Sequence, residues 1–293
     1  MKIRGAFTAL VTPFKGGQVD EEAYRRHVEW QIEQGIDGLV PCGTTGEAAT
    51  MDHEEQGRVI RMCVDQVKGR VPVIAGAGSN STREAIELTR LAKEAGADAT
   101  LQITPYYNKP TPDGLVGHFQ AIAKAVPLPM IIYNVPGRTG LNLAPKTLAR
   151  IAREVPEAIG VKEATGDLKQ CTEVMELCGP DFLLLSGDDF TVLPLLAVGG
   201  VGVISVVSNL IPAKMHELCA AYFAGDQVRA KALNIEIQAL SRAMFMETNP
   251  IPVKTSLVYM ERCQPGFRLP LASLEEKHVE PLKTVLKAYG LIQ

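Results

Sequence analysis

Eight short apolar runs punctuate this 293-residue chain, each ending in glycine, small or polar residues and each followed by a stretch with helical spacing. They are GAFTALVTPF (5–14), DGLVPCGTTGE (37–47), VPVIAGAGSN (71–80), DATLQITPYYN (98–108), PMIIYNVPGRTG (129–140), IGVKEATGD (159–167), FLLLSGDD (182–189) and VGVISVVSN (201–209). Between them, segments such as EEAYRRHVEWQIEQG (21–35) and TREAIELTRLAKEAG (82–96) repeat apolar residues at three- and four-residue intervals and end in glycine, the pattern of an amphipathic helix with its C-terminal stop. Continuous rather than alternating apolar runs belong to strands covered on both faces, as in parallel sheets. Eight such units predict a closed (β/α)8 TIM barrel. After Asn209 the strand signal stops, and NPIPVKTSLVYM (249–260) places prolines where a helix starts. The expected organisation is a catalytic barrel over residues 1–225 and a C-terminal α-helical domain over 226–293.

Composition narrows the function classes. A net charge of −3 and the lack of any long Lys/Arg block leave no electrostatic footprint for nucleic acid or an anionic membrane, so a small molecule is the expected partner. The apolar stretch in MKIRGAFTALVTPF is too short for a secretory signal and is broken by Pro13, and no later run spans a membrane. The reading is a cytoplasmic protein. Six cysteines, at 42, 63, 171, 178, 219 and 263, form no C-x-x-C pair and read as reduced, mostly buried thiols. The five histidines show no H-E-x-x-H spacing and read as surface or capping residues. GAGSNS (76–81) lacks the third glycine of a dinucleotide fingerprint. No metal and no organic cofactor is called for.

In such a barrel the C-terminal strand ends converge on one mouth, where active sites are built. That mouth collects Thr44 and Thr45, Tyr106 and Tyr107, Tyr133 and Arg138, Lys162, Gly187 and Ile204. Lys162, at the end of an apolar run, is the residue most at odds with burial, because an enclosed ammonium is costly unless paired or deprotonated. A desolvated lysine holds more free amine, which condenses with a carbonyl to an imine; the protonated imine acidifies the neighbouring carbon and permits aldol chemistry. Tyr133, with Thr44 and a second tyrosine, offers a proton relay. Arg138 suits a carboxylate gripped through two parallel hydrogen bonds. Plainer readings stand beside these. Lys162 and Glu163 could form a rim ion pair, TTGE (44–47) fits a helix capping box, and the tyrosines and Arg138 could serve packing or solvation.

GTTGE (43–47), TPYYNKP (104–110), YNVPGRTG (133–140), GVKEATGD (160–167), LLSGDD (184–189) and NPIPVK (249–254), in order along the whole chain, resemble the dihydrodipicolinate synthase family. The resemblance implies condensation of pyruvate with L-aspartate-4-semialdehyde on the diaminopimelate route to lysine. It implies Lys162 as the imine-forming residue and Tyr133, Thr44 and Tyr107 as the proton relay, with Tyr107 entering from a neighbouring subunit. Thr45 then contacts the pyruvate carboxylate, Arg138 the semialdehyde carboxylate, and Gly187 and Ile204 line the site. A homotetramer built as a dimer of dimers is implied as well. So is a lysine feedback site at Ala49, His53, Asn80, Glu84 and Tyr106, from whose pattern the chain departs at Ala48, where serine is usual, and at Gln56, where histidine is usual. The alternative within the same chemistry is cleavage of N-acetylneuraminate or a 2-keto-3-deoxy sugar acid, against which Arg138 speaks.

Overall fold

The computed structural model describes residues 3–293. All eight apolar runs are strands: β1 Gly5–Ala9, β2 Gly38–Val40, β3 Ile74–Gly76, β4 Ala99–Ile103, β5 Met130–Asn134, β6 Ala158–Glu163, β7 Leu183–Ser186 and β8 Gly202–Ser205. They pair in parallel in the order β2, β1, β8, β7, β6, β5, β4, β3. A parallel bridge between Leu39 and Val73 joins the two ends of that order, so the sheet closes on itself. Every residue of β1 and β5 is buried, the consequence of side chains filling the barrel on one face and meeting helices on the other.

The intervening helices are α1 Glu21–Glu33, α2 His53–Val67, α3 Thr82–Ala95, α4 Pro112–Ala125, α5 Pro145–Glu154, α6 Leu168–Cys178, α7 Val192–Ala197 and α8 Pro212–Phe223. Their ends follow local rules. Ser81 caps α3 by accepting from the Glu84 amide, and Gly96 ends it at φ 89°. Asp20, Asp52 and Thr111 cap α1, α2 and α4 in the same way, each interaction contributing about 1 kcal/mol. A two-stranded antiparallel ribbon, Phe14–Lys15 with Gln18–Val19, follows β1 and was not anticipated by the apolar pattern, which such short strands do not generate.

The tail is helical: α9 Gln227–Glu236, α10 Gln238–Met244, α11 Ile251–Tyr259 and α12 Glu276–Ala288. Leu240, Leu257 and Leu282 of the tail share one apolar core with Leu10, Val28 and Ile60 of the barrel. That shared core seats the tail against the barrel and brings its residues 245–250 to the mouth. All six cysteines are free, four of them buried. Among the described residues no helix is long and apolar enough to cross a membrane.

Candidate active site

Two adjoining cavities occupy the mouth. The first, about 340 Å3, is lined by Thr44, Thr45, Tyr133, Arg138, Lys162 and Gly187, together with Asp188, Phe190, Phe245 and Asn249. Lys162 on β6 stands in register with Tyr133 on β5, and its Nζ lies 4.2 Å from the centre of the Tyr133 ring. Burial lowers the Lys162 ammonium to about 8; the positive charge of Arg138 adds to that shift and Asp189 opposes it. At pH 7 roughly a tenth of Lys162 is therefore free amine, against about one part in several thousand for an ordinary lysine. Burial also pushes the Tyr133 phenol up to about 12, with Arg138 pulling it back. Tyr133 is held neutral and Lys162 keeps a usable fraction of free amine, so an amine able to attack a carbonyl stands beside a phenol able to donate a proton.

The backbone around Lys162 is shaped to receive it. A Cβ on Gly187 would lie 3.0 Å from Lys162 Cε and 2.7 Å from the Ala164 Cβ, so only glycine lets the lysine stem lie against that turn. Asp189, just beyond, is buried and accepts from the amides of Val206 and Val207, both at 3.0 Å, while burial raises its carboxyl.

Glu163 does not pair with its neighbour Lys162. Adjacent strand residues face opposite ways, and the Glu163 carboxylate instead accepts from Asn134, Gln170 and the Thr165 amide on the outer side of β6. The rim ion pair is excluded. The capping box fails too: Glu47 adopts a left-handed conformation at φ 55°, and its carboxylate meets Lys254 Nζ at 2.5 Å rather than a helix amide. Two of the five histidines, His27 and His118, are buried and held near 4 by desolvation, so neither is a surface residue.

Asn249 joins the two expected carboxylate-binding residues. Its Nδ2 donates to Thr45 Oγ1 at 3.0 Å, and its backbone carbonyl accepts from Arg138 Nη2 at 3.1 Å. It was not singled out in the sequence, although it opens the NPIPVK motif. Arg138 is carried by a helical turn, Pro136–Thr139, directly after β5. Ile204 packs in the inner barrel core with Tyr133 and Leu185 and does not line the cavity, where Val206 stands instead. Tyr107 is 90% exposed at φ 69° and lines neither cavity.

The second cavity, about 390 Å3, is lined by Ala48, Ala49, His53, Gln56, Glu84 and Tyr106, and shares Thr44, Tyr133, Arg138 and Asn249 with the first. Asn80 stands outside its lining and donates to the Tyr106 carbonyl at 3.2 Å. The Gln56 amide donates to the carbonyls of Ala48 and Met51, so it is engaged with its own loop. Among the described residues one group with metal-ligand chemistry, Glu247, Glu275 and His278, lies in the tail, where His278 and Lys277 already answer the two carboxylates.

The model of the dihydrodipicolinate synthetase family matches residues 2–289. The 4-hydroxy-tetrahydrodipicolinate synthase of Nitratidesulfovibrio vulgaris (strain DSM 19637 / Miyazaki F) is 65% identical over 292 residues, covering 100% of both chains. Among solved structures, a chloride-inhibited dihydrodipicolinate synthase from Acinetobacter baumannii complexed with pyruvate is similar at a TM-score of 0.96 and 48% identity, covering 99% of this chain and 100% of that one. A synthase from Cyanidioschyzon merolae with lysine bound gives a TM-score of 0.95 at 40% identity, covering 99% of both.

Proposed function

The chain belongs to the dihydrodipicolinate synthetase family, and on that premise we propose that it is a lyase condensing pyruvate with L-aspartate-4-semialdehyde to 4-hydroxy-tetrahydrodipicolinate. The observation that carries the reading is the buried, partly deprotonated amine of Lys162 set beside Tyr133 in a cavity that Arg138 also lines. Lys162 attacks the pyruvate carbonyl and, with loss of water, forms the imine; Tyr133 supplies and takes the proton in that step. Thr45, oriented by Asn249, holds the pyruvate carboxylate. Loss of a methyl proton gives the enamine, which attacks the aldehyde while Arg138 holds the second carboxylate. Water then hydrolyses the imine and frees Lys162, and the amino group brought by the semialdehyde condenses with the regenerated ketone, losing water to close the ring.

Thr44 and Tyr107 complete the proton relay in this reading, and the exposure of Tyr107 fits a side chain that serves a neighbouring subunit's site. The working assembly is then a homotetramer, a dimer of dimers. Gly187 shapes the pocket and Ile204 supports it from the core. The second cavity, with Ala49, His53, Glu84 and Tyr106 in its wall and Asn80 behind it, is where lysine acts as a feedback ligand. Residues 1–225 form the catalytic barrel and 226–293 the helical unit that supplies Asn249.

Borohydride reduction with pyruvate tests the reading: a stable mass adduct is expected on Lys162, followed in unreduced enzyme by consumption of aspartate-4-semialdehyde. Arg138→Ala is expected to keep the adduct and raise the KM for the aldehyde about 10–100-fold. Turnover of sugar acids without turnover of the semialdehyde would transfer the protein to the sugar-acid aldolases.

A further inference from the structure

Resting on that reading, we infer that Glu163 is a positioning residue: its buried carboxylate, on the outer side of the barrel, locks β5 to β6 and so holds Lys162 and Tyr133 in reacting geometry. The strand register pairs Tyr133 with Lys162 and, one residue on, Asn134 with Glu163. Side chains alternate along a strand, so the first pair meets in the cavity and the second on the opposite face. Whatever fixes the outer pair fixes the inner one.

The outer pair is fixed by a closed set of directional hydrogen bonds. Asn134 Nδ2 donates to both Glu163 oxygens, at 3.0 and 3.2 Å, Gln170 Nε2 donates at 3.0 Å, and the Thr165 amide at 2.9 Å. Asn134 cannot turn its amide over without loss, because its Oδ1 accepts from the Leu143 amide at 2.9 Å. Gln170 is held likewise, since its Oε1 accepts from Asn142 Nδ2 at 2.8 Å while Asn134 and Gln170 both donate to Asn142 Oδ1. Every contact on the Glu163 side chain is a donor, so the position calls for a group that only accepts, which is an ionised carboxylate.

The set ties together the parts of the site that lie far apart in sequence. Asn142 and Leu143 belong to the segment following the Pro136–Thr139 turn that carries Arg138, and Gln170 belongs to α6. The Glu163 carbonyl accepts from the Gly187 amide at 2.7 Å, so the turn against which Lys162 lies hangs from the same residue. Glu163 is 2% exposed and has no path to the substrate; its influence runs through the strand.

Glu163→Gln keeps size and shape but turns an N–H2 toward fixed donors. In folded Glu163→Gln, kcat and the rate of pyruvate trapping by borohydride are expected to fall about 10–100-fold, the cost of displacing reacting groups by a fraction of an ångström to an ångström, with the KM for pyruvate held within about threefold. If Glu163→Gln does not fold, Gln170→Ala, which removes one donor and keeps the carboxylate, is expected to lower kcat about 3–10-fold with the same KM pattern. A change confined to the melting temperature, with wild-type kcat in the folded variant, overturns the inference. Wild-type protein that traps no pyruvate defeats the functional reading and this inference with it. Wild-type trapping together with undiminished trapping by the folded variant defeats the inference alone.

Discussion

Lys162 and Lys254 are both enclosed, at 6% and 0% exposure, and they meet the cost of enclosure in opposite ways. Lys254 on α11 faces Glu47 at 2.5 Å and stands over the rings of Phe14 and Phe267, so its charge is answered by a carboxylate and two aromatic faces. Burial pulls its ammonium down and Glu47 pulls it back. Lys162 has no such partner at hydrogen-bond distance; Asp189 acts on it through its field alone, and Arg138 works against the charge. The difference teaches that burial does not by itself make a lysine reactive. A buried amine is available for chemistry where the carboxylate that would keep it protonated is withheld.

The comparison breaks first at Lys162→Ala, which is expected to abolish the reduced pyruvate adduct and lower turnover by more than about a thousandfold, read by mass spectrometry and steady-state kinetics. Lys254→Met keeps volume but takes from the buried Glu47 carboxylate its paired ammonium, leaving it the Arg268 amide at 3.4 Å. It is expected to cost about 3–5 kcal/mol in denaturant unfolding while the surviving folded protein still forms the adduct on Lys162. Adding Glu47→Leu should recover most of that loss, and a double variant no more stable than the single one would show that the pair is not the source of the cost.

Lys162→Met is expected to act in the opposite direction on stability. Removing an unanswered buried charge should stabilise the fold by about 1–3 kcal/mol at pH 7, measured by the same unfolding curves. A destabilised Lys162→Met would place the lysine in an ion pair after all. The pH dependence follows from the same asymmetry. Lys162 titrates near 8 when folded, so the free amine and the rate of adduct formation rise with pH to about 8 and then level off. Between about 8 and the ordinary lysine value the unfolded chain binds a proton that the folded chain has released, so stability also rises with pH across that window. The smallest effect is the sharpest: Arg138→Ala removes one cause of the lowered value and should move the midpoint of adduct formation upward, and an unmoved midpoint would assign the shift to burial alone.

Much of this was legible in the sequence. The eight strands were visible because a strand covered on both faces must be apolar throughout, and Lys162 stood out against such a run. The ribbon at Phe14–Lys15 and Gln18–Val19 left no trace, since two-residue strands carry no periodicity. Glu47 misled, because a capping signature and a residue turned into a left-handed conformation to reach a distant lysine are written with the same letters. Asn249 was inside a motif that pointed to the family, yet nothing local says that its amide spans Thr45 and its carbonyl Arg138.

By itself the sequence determined the order of strands and helices and the lysine at the end of the sixth run, because apolar continuity, helical period and caps act between neighbours. Which carboxylate answers which lysine was decided only in three dimensions. Glu163, next to Lys162 along the chain, is turned away from it by the alternation of the strand, while Glu47 finds Lys254 across a separation of 207 residues when the tail closes over the barrel. Charge pairing depends on side-chain direction and on that closure, and neither is a property of neighbouring letters.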